Sequence, residues 1–178
     1  MCVAVEKLTE TVIAKCIKDF LINKPNGNWH ENAVKESALH GHGPDLVLVG
    51  GKRNSEYFII ECKGKSYAKS SKSANREVWL HALGQLITRM DTERVIQTGK
   101  TKGSINRAYK YGLGLYWVTA RIALRRIPPQ IANTLNLYIF SVYEDGWVRM
   151  WTPKDFKNED SYPEDVFKRP TQSMAGMA

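Results

Sequence analysis

Two apolar runs of matching length flank one short polar turn, and they constrain the fold more than any other feature. Asp45-Leu-Val-Leu-Val-Gly50 leads into the turn, and Glu56-Tyr-Phe-Ile-Ile-Glu-Cys-Lys63 leaves it. The connection is too short for a crossover, so the two strands must run antiparallel. With the hairpin centred on position 53, Asp45 stands opposite Glu61. Side chains alternate faces along a strand, so Glu61 and Lys63 share a face, and Asp45 joins them. A slip of one residue would move Asp45 to the other face, so the grouping holds only in this register.

The rest of the chain alternates helix and strand patterns. Leu8, Val12, Ile13, Cys16, Ile17, Phe20 and Leu21 recur at helical spacing within 5–21. Residues 29–39 alternate in part and can hold an edge strand. A second helix is predicted over 76–90, with Leu80, Leu83, Leu86, Ile87 and Met90 on one face, after a Ser/Lys-rich loop over 64–75. Strands are predicted over 111–120 and 135–143. Pro128-Pro129 punctuates the chain and can open a short helix. Glu144-Asp-Gly146 makes a turn into a last strand ending at Trp151. Helices interleaved with strands predict an α/β fold, a central mixed sheet flanked by helices. The 178 residues fit one domain over 1–167, with a disordered tail from 168 onward.

Charge is concentrated. The chain carries 26 Lys and Arg against 18 Asp and Glu, yet residues 61–126 alone hold fourteen basic and four acidic side chains. Such a band serves either solubility or contact with phosphates. Lys65, Lys69, Lys72 and Arg76 follow the second hairpin strand, and Lys100, Lys102, Arg107 and Lys110 form a later segment.

Two adjacent carboxylates repel unless a cation intervenes. Asp45 and Glu61 offer hard oxygens suited to Mg²⁺, and an ammonium at Lys63 can hold an attacking water or stabilise charge on phosphate. That is the chemistry of phosphodiester hydrolysis. A blander reading makes Asp45 a turn cap and Glu61 with Lys63 a solvated pair. It explains poorly why Glu-X-Lys ends so apolar a run.

Pro44-Asp45 followed by Glu61-Cys62-Lys63 resembles the two half-motifs of the PD-(D/E)XK nuclease superfamily, whose fold is restriction-endonuclease-like. The resemblance implies one or two Mg²⁺, replaceable by Mn²⁺, held by Asp45, Glu61 and the Cys62 backbone carbonyl, with Lys63 positioning the nucleophile. It also implies a glutamate from the first helix, Glu10 or Glu6, which lie one turn apart. A glutamine on the helix after the E-X-K strand matches Gln85. The basic residues named above then become the nucleic-acid-binding surface.

The resulting expectation is a Mg²⁺-dependent DNA endonuclease, for which a homodimer would supply one site per strand. A non-catalytic nucleic-acid-binding subunit and an RNA nuclease are the alternatives. His40 and His42 alternate with glycines and read as loop residues, and the Cys62 side chain as core. There is no Walker A motif, nucleophile elbow or dinucleotide fingerprint. Three scattered cysteines, no apolar run of membrane-spanning length and no signal-peptide pattern predict a cytoplasmic protein.

Overall fold

The computed structural model describes residues 7–23, 29–31, 44–50, 56–65, 71–90, 109–158 and 162–168. Thr9 sets the start of the first helix, α1 (Glu10–Ile22), because its hydroxyl accepts the Val12 N–H at 3.3 Å. The helix therefore begins at Glu10 rather than at position 5, where its periodicity alone would start it. Ile13, Ile17 and Leu21 form its buried stripe.

Six strands follow: β1 (His30–Glu31), β2 (Leu46–Gly50), β3 (Glu56–Lys63), β4 (Tyr109–Tyr116), β5 (Leu137–Val142) and β6 (Val148–Trp151). They form one mixed sheet in sequential order, five full strands with the two-residue β1 at an edge. β1, β2 and β3 pair antiparallel, β3–β4 and β4–β5 parallel, and β5–β6 antiparallel. The parallel steps require crossovers. α2 (Ser71–Thr88) lies between β3 and β4, and α3 (Trp117–Arg126) with α4 (Pro129–Thr134) lies between β4 and β5.

The helices cover both faces of the sheet. Phe58, Ile60 and Cys62 of β3 pack with Ile13, Ile17 and Leu21 of α1. On the other face, Leu113 and Leu115 of β4 pack with Trp79, Ala82 and Leu86 of α2 and Ala120, Ala123 and Leu124 of α3. Gly114 allows α1 to approach: a Cβ there would lie 2.5 Å from Ile17 Cδ1 and 2.7 Å from Cys62 Sγ.

Three sequence expectations change. Residues 71–75 are helical, since no Gly or Pro stops α2 from extending toward its N-terminus. The strand predicted over 111–120 ends at Tyr116 and passes directly into α3, where Ala120, Ala123 and Leu124 have helical spacing against the sheet. Finally, α2 is rotated about its axis. Trp79, Ala82 and Leu86 are buried, while Leu80 and Ile87 remain about half exposed. The larger Trp79 side chain takes the core position. The remaining tail, from 169, lies outside the described residues.

Candidate active site

The β2–β3 ladder runs from Leu46 opposite Ile60 to Gly50 opposite Glu56, symmetric about position 53. This is the predicted register. One step beyond the last pair, Asp45 comes level with Glu61. Its Oδ2 accepts the backbone N–H of Cys62 at 2.7 Å, which fixes an otherwise exposed carboxylate against β3.

Glu61 is only 1% exposed and lies on the α2 face of the sheet. A buried carboxylate costs several kcal/mol unless it is paired. Two cations attend it. Lys63 Nζ lies 3.5 Å from Glu61 Oε1, and Arg89, just past the end of α2, forms an ion pair with Glu61 Oε2. Lys63 Nζ also donates to Glu10 Oε1 at 3.2 Å. Glu10 reaches it because the strand end is tied to the helix start: the Lys65 N–H donates to the Leu8 carbonyl at 2.8 Å. Gly64 permits that approach, since a Cβ there would meet the Leu8 carbonyl oxygen at 2.9 Å.

The Cys62 side chain is buried on the α1 face, between two residues that point the other way. Burial, reinforced by the Asp45 and Glu10 carboxylates and only partly opposed by Lys63, pushes its thiol far above the ordinary range. It is an inert core thiol.

Glu10 and Glu61 thus meet Lys63, Arg89 meets Glu61, and Asp45 is held on the neighbouring backbone N–H of Cys62. The oxygens of Asp45 and Glu61 are the right donors for a hard divalent ion, and the net negative charge favours one. Among the described residues, no three His, Cys, Asp or Glu side chains already converge as a metal-ligating group. In this arrangement Arg89 provides the positive charge beside Glu61 Oε2, so a metal drawing on that oxygen must share it with the guanidinium.

Arg89 is the site residue that sequence reasoning missed. The sequence places it on a second face of the helix with Val78, Ala82 and Gln85, and its spacing of seven from buried Ala82 marks it rather than Gln85 as the inward residue. Gln85, the expected glutamine, is exposed instead and lines an outer cleft with Leu80, His81 and Thr88.

The basic band is divided. Lys65 lies 3.6 Å from Glu144 and over the Tyr116 ring, near the site. Lys110 is paired with Phe58, five residues before Lys63, which is roughly 16 Å along the strand. There it binds Glu56 at 2.5 Å and covers the Trp29 ring, away from Glu61. Lys72 and Arg76 fall on the N-terminal half of α2. Glu6, Lys69, Lys100, Lys102 and Arg107 lie outside the described residues, as do His40 and His42.

No family model, curated protein or solved structure matches this chain. The geometry of the site therefore carries the functional argument alone. Among the described residues, no helix is long and apolar enough to cross a membrane.

Proposed function

We propose that the chain is a Mg²⁺-dependent DNA endonuclease with a restriction-endonuclease-like fold. The observation that carries this reading is the hairpin register, which brings Asp45 level with Glu61 and leaves Lys63 beside both Glu61 and Glu10. The order of elements supports it too: a helix, an antiparallel hairpin bearing the carboxylates, a crossover helix and a parallel strand.

Asp45 and Glu61 would hold the metal between adjacent strands, with the Cys62 carbonyl as a further oxygen donor. When bound, the cation supplies Lewis acidity toward a phosphoryl oxygen. The Lys63 ammonium donates a hydrogen bond to a water approaching phosphorus and offsets the charge that develops there. Glu10 and Glu61 hold that ammonium from two sides, which limits its rotamers. Arg89 would share Glu61 with the metal and supplies the counter-charge that a buried carboxylate needs.

The test is incubation with linear, supercoiled, branched and single-stranded DNA, and with RNA, in Mg²⁺, in Mn²⁺ and in EDTA. Cleavage of DNA in either metal, absent in EDTA and lost in Glu61→Gln, is the expected result. Full Mg²⁺-dependent activity in Asp45→Ala would sink the assignment. RNA cut in preference to DNA would move the substrate. The pairing of Arg89 with Glu61 favours one second reading, a non-cleaving nucleic-acid binder whose site is neutralised internally. Binding without nicking on every substrate would select it.

A further inference from the structure

A cavity of about 530 Å³ opens at the carboxyl end of β4 and β5, the same end of the sheet as Lys63. Its walls include Trp117, Arg121, Tyr143, Glu144, Phe167 and Lys168. The volume falls within the ~300–1,000 Å³ of small-ligand pockets. None of these residues belongs to the Asp45, Glu61 and Lys63 group.

The wall is built for a flat ring. The Trp117 and Tyr143 rings lie within 4° of parallel, with centroids 5.8 Å apart. Both are anchored at their polar ends. Trp117 Nε1 donates to Glu144 Oε2 at 3.2 Å, and the Tyr143 hydroxyl donates to the Phe167 carbonyl at 2.8 Å. Trp117 nevertheless remains partly exposed. Such a platform offers aromatic area at little entropic cost. Arg121 and Lys168 bring positive charge to the wall, and Glu144 and Asp145 bring negative charge.

The cavity is joined to the candidate active site. Glu144 accepts the Tyr116 hydroxyl at 2.5 Å and pairs with Lys65, two residues beyond Lys63. Burial pushes the Glu144 carboxyl up, but the Tyr116 hydroxyl, its own backbone N–H, Lys65 and Trp117 outweigh it and hold it below the ordinary carboxylate value. The ion pair of Lys65 and Glu144 thus links the cavity to the end of the strand that carries Lys63.

We propose that this cavity binds one unpaired nucleobase of a nucleic-acid strand, stacked on the exposed face of Trp117, which the buried Tyr143 ring backs, with its backbone phosphates near Arg121 and Lys168. The proposal rests on the nuclease reading for its substrate class. A base inside a duplex has both faces covered by its neighbours, so only a single-stranded, terminal or extruded base can enter. The site therefore directs the chain toward nucleic acid carrying an unpaired nucleotide beside the scissile bond, and away from uninterrupted duplex.

The test is fluorescence anisotropy of the full chain with a fluorescein-labelled oligothymidylate, a fully abasic strand of equal length and a matched duplex, all in EDTA. Stacking contributes ~1–3 kcal/mol per base, so Trp117→Ala should weaken oligothymidylate binding about tenfold or more. Trp117→Phe should keep most of the affinity. Arg121→Ala should weaken it several-fold and flatten its salt dependence. The abasic strand and the duplex should bind alike to wild type and Trp117→Ala. If Trp117→Ala does not fold, as judged by circular dichroism, Trp117→Leu, which keeps an apolar side chain without the ring and should also bind about tenfold more weakly, and Arg121→Ala carry the test. No binding of oligothymidylate by the wild type, or wild-type affinity in folded Trp117→Ala, Trp117→Leu or Arg121→Ala, overturns the base site. Thymidine monophosphate binding as tightly as the strand overturns it in favour of a free nucleotide. Because metal is absent, these outcomes are independent of cleavage. Trp117-dependent binding without cleavage by the wild type in Mg²⁺ supports the base site and removes only the nuclease reading.

Discussion

The Asp45 carboxylate accepts the Cys62 backbone N–H at 2.7 Å, so the first acidic residue of the site is fastened to the strand that carries the second. Asn can make the same hydrogen bond without the charge. Asp45→Asn should therefore melt close to wild type yet lose activity by about 100-fold or more, since it removes charge placed at the reacting centre. Asp45→Ala also removes the acceptor and should lose about 1–3 kcal/mol of stability. Parallel thermal melts and cleavage rates on the two variants separate the roles.

Arg89 and Lys63 share the neutralisation of buried Glu61. Arg89→Ala leaves Lys63 alone and should cost on the order of 3 kcal/mol, as when one partner of a buried pair is removed. In a chain of this size that lowers the melting temperature by about 6–12 °C. Mg²⁺ should restore part of the loss, raising the melting temperature of Arg89→Ala more than that of wild type. Equal Mg²⁺ shifts in the two proteins would show that no metal reaches Glu61.

Gly64 sits where β3 meets the start of α1, and backbone atoms of Leu8, Thr9 and Glu10 crowd its missing Cβ. Backbone yields less readily than the tip of a side chain. Gly64→Ala should lose about 1–3 kcal/mol and displace Glu10 from Lys63. Calorimetry checks the first effect. The second should appear as lower kcat with little change in KM.

Glu144 provides a pH test. Its folded-state carboxyl titrates below the ordinary value of 4.5, so its stabilisation is complete above that value and is lost as pH falls through the lower, folded value. Glu144→Gln should thus be less stable than wild type at neutral pH, with the gap closing in acid. The side chain is 57% exposed, so solvent screening should hold the difference to about 2–4 °C. Melts at pH 7 and pH 3.5 measure it. A gap that widens in acid would contradict the sign.

The hairpin and its register were legible because apolar runs of matched length enclose one turn, leaving a single way to bury both faces of β2 and β3. Asp45, Glu61 and Lys63 followed from that. Glu10 was one of two candidates until the Thr9 cap fixed where α1 begins. α2 was harder. Its apolar residues spread around the wheel, so its rotation depended on which side chain the core accepted. The choice of Trp79 over Leu80 turned Gln85 outward and Arg89 inward. α3 was lost because Tyr116 and Trp117 both favour strands locally, and only packing on the sheet makes residues 117–126 helical.

The counter-charges of Glu61 come from within the chain. Many metal sites are assembled only when the ion arrives, and their proteins unfold without it. Here Lys63 and Arg89 already hold the buried carboxylate, so the fold needs no added cation to accommodate Glu61. On the nuclease reading proposed above, the chain would finish folding before any metal binds. Its activity would then follow the concentration of free divalent cation around it, rising and falling with no new synthesis and no refolding.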